Sequence, residues 1–339
     1  MERIEELLAL GSREAASELR DLAEATSEKE QRKAARKALY LLSQKGILPF
    51  EKAAVVASPA KVAAPTEGLQ AYASTFDGAG NFLLFFLIPS AEGGSPLFAR
   101  FVLNDSTGIH DGASERLPKR EIPARLEVYE TQLEEGLALA EIEADYGRWL
   151  LEEGRALTRE VGKQTPTGFL ELAPRIGTPQ QEYTEFTLPA PLTPEDLMTD
   201  AEISHDPNDL FDLAWFSTWF YETEEVYPWL RKMAQLRQEL GEEATAEVTQ
   251  ERRSAIEREA MTALMPLEVR ECFIRRLAHS ADILFRRGKV VEAKQAFYQA
   301  LDLARETPAV EVPFAQILFA RSLAVTLQFL KREQEQRKS

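Results

Sequence analysis

The chain has 339 residues, of which 44% are hydrophobic and 28% charged, and a formal net charge of −16. That balance fits a folded protein with a sizeable core and excludes wholesale disorder. The single cysteine, Cys272, excludes an intramolecular disulfide framework and a multi-cysteine zinc site.

The charge is unevenly placed. Residues 1–50 carry nine basic and nine acidic side chains, 51–120 six and seven, 121–250 nine and 28, and 251–339 16 and 12. An acidic middle argues against a broad nucleic-acid surface, because phosphates need a positive field. The mildly basic C-terminal part is read as complementing that acidic middle, with an acidic partner as the other reading. The longest apolar run, Phe82 to Pro89, is far below the ~20 residues that span a bilayer. The opening Met1-Glu-Arg-Ile-Glu-Glu lacks the basic-then-apolar order of a secretory signal. A soluble cytoplasmic protein with no membrane association is therefore expected.

Residues 1–50 predict two or three helices. Ile4, Leu7 and Leu8, then Ala16, Leu19, Leu22 and Ala23, recur at helical spacing. Ser27 with Glu30 has the spacing of a capping box, and Gly46 ends the next helix. Residues 12–46 resemble a HEAT-type helical repeat, which implies a helix pair that must pack on a neighbour. The basic face from Lys29 to Lys37 is read as a solvated helix surface, with RNA contact as the other reading. Residues 51–68, rich in Ala, Val and Pro, form a linker or an extended crossing segment.

From 69 to 122 the pattern changes to strands and turns. Leu69–Thr75, Asn81–Pro89 and Leu97–Leu103 predict three strands of an antiparallel meander, joined through Asp77-Gly-Ala-Gly80 and Ala91–Pro96. The uniformly apolar middle strand should be covered on both faces. A short fourth strand or irregular segment is expected around Arg116–Ile122. Residues 123–165 read as helix, with stripes at Leu126, Tyr129, Leu133, Leu137 and Ala140 and at Tyr146, Trp149, Leu150, Leu157 and Val161. Six prolines between 166 and 194 argue against a helix there, with an edge strand possible at Tyr183–Leu188. Helices restart at Asp206-Pro207 and run through 206–240, 251–265, 266–287, 289–305 and 313–335.

The segment from about 273 to 308 carries the most informative pattern. A small residue (Ala281), a turn glycine (Gly288), Ala293, Phe297 and Ala300 are followed by Pro308. These positions resemble a tetratricopeptide helical hairpin, with Leu284 where that family commonly has an aromatic. The resemblance implies close packing of two helices through Ala281, Ala293 and Ala300, and, with more units, a surface that holds a peptide. One unit is evident, and no family is recognised for the whole chain.

Eight aromatics crowd residues 211–229. Phe211, Trp215 and Trp219 lie four apart, as on one helical face. With Tyr227 and Trp229 they form the candidate interaction surface; core, interface and ligand groove all remain open readings. Glu202-Ile-Ser-His205 has the spacing of a di-iron ligand pair, but neither His110 nor His279 has a glutamate three residues before it. No His-Glu-x-x-His, Walker or Gly-x-Ser-x-Gly motif occurs. The loop Asn104 to Gly112, with Asp105, His110 and Asp111, is read as a β-turn or as a metal or phosphate holder. Cys272 is read as a buried structural thiol.

The expected fold is α+β and mostly helical: an N-terminal helical segment (1–50), a β-meander with its helix (66–122 and 123–165), a proline-rich connection (166–205) and a C-terminal helical domain (206–339). The expected function is a non-enzymatic scaffold or adaptor that holds a protein partner, without cofactor or metal. The alternatives are an enzyme using carboxylates near His205 or the Asp105–Asp111 loop, and an RNA-associated protein. Oligomeric state stays open.

Overall fold

A computed structural model describes residues 68–90, 94–132, 136–184, 203–240 and 245–336, together with Ile4, Leu22 and Ala38. The chain divides into two compact units, Met1–Val62 and Ala63–Ser339. The predicted N-terminal helices and HEAT-like repeat lie outside the described residues, as do the linker and most of the Tyr183–Leu188 segment.

The second unit is α+β and mostly helical. Its sheet has five antiparallel strands: β1 (Gln70–Ser74), β2 (Asn81–Ile88), β3 (Leu97–Asn104), β4 (Gly108–Arg116) and β5 (Leu139–Ile142), in the order β4-β3-β2-β1-β5. Strand β2 explains the layering. Phe82, Leu84, Phe86 and Ile88 point into the main core, while Leu83, Phe85 and Leu87 join Phe98, Leu117 and Ile122 in a second cluster. Leu126 and Tyr129 of helix α1 (Ile122–Gln132) cover that second cluster. Both faces of β2 are therefore dry, which is why its sequence does not alternate.

Three local expectations are corrected. Residues 123–165 are not continuous helix: α1 is followed by β5, and only then by α2 (Ala144–Glu160). The four residues of β5 fell inside an apolar spacing that also fits a helix, and pairing with β1 (Tyr72↔Glu141, Ala73↔Ala140) decides the matter. The fourth strand occupies Gly108–Arg116, so His110, Asp111 and Gly112 belong to β4 rather than to a loop. The proline-rich stretch contains a helix, α3 (Thr167–Ile176). Pro166 stands just before it, and Pro174 falls in its last turn. At the first position a proline sacrifices no hydrogen bond, and near the end it breaks little of the ladder.

The C-terminal helices are α4 (Pro207–Phe211), α5 (Thr223–Leu240), α6 (Ala246–Leu264), α7 (Leu267–Arg286), α8 (Val290–Ala304) and α9 (Pro313–Gln336). Asp206 caps α4 by accepting from the Asn208 amide, as the sequence suggested. The aromatic run after it is not one helix: α4 stops at Phe211, and a single 3-10 turn covers Ala214–Phe216. With the chain bent there, Phe211, Phe216 and Trp219 are buried together. Burial of three large rings outweighs local helix preference.

Helices α7 and α8 form a hairpin. Gly288 takes φ +74, the Lys289 amide donates to the Leu284 carbonyl and the Gly288 amide to that of Phe285. These two bonds are the Schellman pattern, and the left-handed residue they need is why glycine stands there. Ala281, Ala293 and Ala300 are fully buried, with Phe297 close to it. A leucine at position 293 should overpack this interface and cost about 1–3 kcal/mol. An unchanged melting curve for Ala293→Leu would show that the helices do not meet there.

The sheet and the C-terminal helices share one continuous hydrophobic cluster, from Ala71 in β1 to Leu318 in α9. Polar ties cross the same boundary. Tyr146 Oη of α2 lies 2.8 Å from His279 Nδ1, and His279 Nε2 lies 2.9 Å from the Ser74 carbonyl oxygen. A carbonyl only accepts, so the Nε2 proton points at Ser74 and Nδ1 accepts from the tyrosine.

Candidate functional site

Helices α5, α6 and α9 enclose an open groove of about 1200 Å³. Each helix presents one face to it, at helical spacing. From α5 come Tyr227, Leu230, Arg231, Ala234 and Arg237; from α6 Arg253, Glu257, Arg258 and Met261; from α9 Phe319, Ala320, Leu323, Ala324 and Leu327. Recurrence at three and four residues is what lines up one side of a helix.

Local chemistry sets the three helices in place. Glu224 and Glu225 sit in the first turn of α5 and Arg237 in its last, both favourable to the helix dipole. Thr245 caps α6 by accepting from the Val248 amide at 3.3 Å. Pro313 opens α9. Leu236, Met261 and Phe319 form a buried floor. The small side chains Ala234, Ala320 and Ala324 are exposed and leave the groove open above it. Tyr227 (46% exposed) and Leu327 (43%) stand at its mouth. The stretch Pro313–Glu333 is long and apolar enough to cross a membrane by length and composition. In the fold, its Phe314, Ala315, Leu318 and Phe319 are buried against other helices, and Leu323 and Leu327 face the groove.

The rim is basic. Arg231, Arg237, Arg253 and Arg258 line the groove, and Glu257 is the one acidic side chain among its described lining residues. Glu257 accepts from Arg253 at 2.8 Å. Arg231, Arg237 and Arg258 form no ion pair or side-chain hydrogen bond among the described residues, and all three are exposed.

The five aromatics of the expected interaction surface are divided by the fold. Phe211 and Trp219 are buried in the core, out of reach of any partner. Trp219 donates from Nε1 to the Phe76 carbonyl at 3.3 Å. Trp215 is half-buried, with the Lys289 ammonium 5.9 Å from its ring centre. Trp229 packs on the Met261–Phe319 cluster, with Lys232 over its ring at 4.4 Å. Tyr227 alone of the five lines the groove. The α6 and α9 walls were missed by aromatic counting. Their signal was the stripe Phe319, Leu323, Leu327 with alanines at 320 and 324, more apolar surface than one helix needs for packing.

The polar candidates are engaged elsewhere. Asp105 accepts both Nε (2.6 Å) and an NH2 nitrogen (2.9 Å) of Arg276, which also donates to the Gly78 carbonyl. Gly80, at φ +84, has no side chain because a Cβ would lie 2.3 Å from the Asp105 carboxylate and 2.4 Å from Arg276. Asp111 pairs with Arg100 at 2.6 Å. His205 stacks on Tyr298, with ring centres 4.0 Å apart. Cys272 is half-buried, and burial pushes its thiol up. Among the described residues, no three His, Cys, Asp or Glu side chains gather where a metal could sit.

Two buried groups on α7 titrate in opposite senses. Burial pushes the His279 imidazole down to about 4 from 6.5. Burial also pushes the Asp282 carboxyl up to about 6 from 3.8, against the opposing pull of Arg286, which it meets at 2.9 Å. His279 stabilises the fold fully above pH 6.5, and that contribution is lost as pH falls toward 4, because the unfolded chain takes up the proton first. Asp282 behaves in reverse: its contribution is full below pH 3.8 and lost as pH rises through 6. The two slopes oppose each other between about pH 4 and 6. Asp282→Asn should therefore lose stability on acidification more steeply than the parent, by roughly 1 kcal/mol per pH unit. His279→Gln should do the opposite. Urea midpoints of the three proteins that stay parallel across pH 4 to 6.5 would refute this assignment.

No protein-family model, no curated protein and no solved structure matches this chain.

Proposed function

We propose that this protein is a non-enzymatic scaffold that seats a protein partner in the groove between α5, α6 and α9. The observation that carries the reading is an open groove of about 1200 Å³ in which Tyr227, Leu230, Leu323 and Leu327 are exposed or half-exposed above a buried floor of Leu236, Met261 and Phe319. Exposed apolar surface rimmed by polar side chains marks interaction sites, and three helix faces at one period suit a helical ligand. The tetratricopeptide-like hairpin α7–α8 supports the same class of function. It is read as a supporting element, since its Ala281, Ala293 and Ala300 face inward.

Site-resolved cross-linking tests this. A photoreactive phenylalanine analogue replaces Tyr227 or Leu327 at the groove mouth, or Leu170 on α3, which is 58% exposed and lies outside the groove lining. Illumination in the native host should give one discrete protein adduct from the two groove positions and none from position 170. Equal adducts from all three positions, or none from the groove, would refute the reading.

A further inference from the structure

We infer that the occupant of the groove is an acidic amphipathic helix from a partner protein, held by apolar side chains along the groove and carboxylates against the arginine rim. The inference rests on the groove reading above and adds the chemistry of the occupant.

Charge points to an acidic occupant. Among the described residues, the groove lining presents four arginines against one glutamate, in a chain whose net charge is −16. Such a local excess of cations runs against the whole molecule. Arg253 is satisfied by Glu257, but Arg231, Arg237 and Arg258 reach solvent without a partner among the described residues. Guanidinium groups pair with carboxylates in a two-pronged geometry, and they do so best beside apolar surface.

Shape points to a helix. On α9 the lining runs from Gln316 to Leu327, about 17 Å at 1.5 Å per residue. That length accepts about three turns of a helix. The α9 lining residues Phe319, Leu323 and Leu327 recur every four residues, from floor to mouth, as needed to meet an apolar stripe of the same period. An extended peptide would need an exposed strand edge or backbone partners, and the three walls are helices with their backbone groups already bonded. A nucleic acid could pair with the arginines, but it would leave the half-exposed Leu230 and Leu323 and the exposed Leu327 without apolar cover.

The test uses the full chain and three dye-labelled synthetic peptides of about 18 residues, long enough to hold a helix across the groove. One has leucines at helical spacing and glutamates elsewhere. The second replaces the glutamates with lysines. The third keeps the acidic composition but scrambles the leucines. Fluorescence anisotropy should show binding of the first, at least about tenfold weaker binding of the others, and weakening as salt is raised. Arg231→Ser/Arg237→Ser/Arg258→Ser, at exposed positions, should keep the parent melting curve and lose about tenfold in affinity for the acidic peptide.

Equal or tighter binding of the lysine peptide overturns the acidic occupant while leaving the groove as a docking site. Binding of a single-stranded RNA oligomer in preference to the acidic peptide overturns it in favour of a nucleic acid. A parent protein that sediments as a dimer and becomes monomeric in Leu327→Glu, at an exposed position of the groove mouth, assigns the groove to a second copy and also overturns it. Failure of all three peptides overturns the inference. The cross-linking experiment still judges the groove itself, so the two failures are told apart.

Discussion

Replacing Arg276 with methionine is expected to destabilise the fold by about 3–5 kcal/mol. Arg276 and Asp105 are nearly buried, with side chains 11% and 4% exposed. Methionine would keep most of the stem's apolar contact but leave the Asp105 carboxylate buried without its two donors. It would also release the Gly78 carbonyl, which Arg276 meets at 3.0 Å. The side chain thus pins both hairpin turns of the sheet, β1–β2 and β3–β4, to α7. An exposed pair would contribute only about 0–1 kcal/mol, so the size of the loss decides between a clamp and a surface contact. Arg276→Gln combined with Asp105→Asn should recover part of the loss, because no charge is stranded. A urea titration in which Arg276→Met costs less than about 1 kcal/mol would remove the clamp from this description.

Trp219→Ala is expected to cost about 3–5 kcal/mol. The ring is fully buried, with Phe216 at 5.1 Å and Phe273 at 6.0 Å between centroids. Its removal leaves a cavity and frees the Phe76 carbonyl. Trp219→Phe should cost less, since a ring remains to fill part of the space. Tyr227→Ala should change stability by no more than about 0.5 kcal/mol, because its ring stands at the groove mouth. The contrast separates a core aromatic from an interaction aromatic within one crowded segment. Equal melting temperatures for Trp219→Ala and the parent would place Trp219 at the surface and reverse that assignment.

The sequence was most readable where one residue type had one physical role. Asp206 before Pro207, Gly288 between two apolar stripes and the uniformly apolar β2 each had a single good structural solution, and each has it here. It was least readable where two solutions share a pattern. Residues 139–142 fit a helical stripe as well as a strand, and only pairing with β1 separates the two. The proline count across 166–194 hid α3, because position within the helix matters more than number. The aromatics at 211, 215 and 219 suited a helical face, yet the chain bends there and buries Phe211, Phe216 and Trp219 together.

The groove was barely legible, for a reason of dimension. Tyr227 was visible as one aromatic among eight, but the groove is made by three helices, one of them about 90 residues further along the chain than the first. Spacing within one helix reports which face is apolar. It does not report whether a neighbour covers that face. The arginines at 231, 237, 253 and 258 lie on two helices, and only the fold sets them around one opening. The Asp105–Asp111 loop was misleading in the opposite sense, since its carboxylates are matched by Arg276 and Arg100 from other elements.

Whether the α5–α6–α9 groove seats a partner is decided by obstructing it. Ala324 lines the groove and is exposed, so Ala324→Trp should fold normally and set a large ring in the path of an occupant along α9. The measurement is the yield of the photo-adduct formed from position 227 in native host cells, with and without Ala324→Trp. The adduct yield should fall sharply when the groove is obstructed, at an unchanged melting temperature. An adduct of undiminished yield in the obstructed protein would contradict the seating of a partner there.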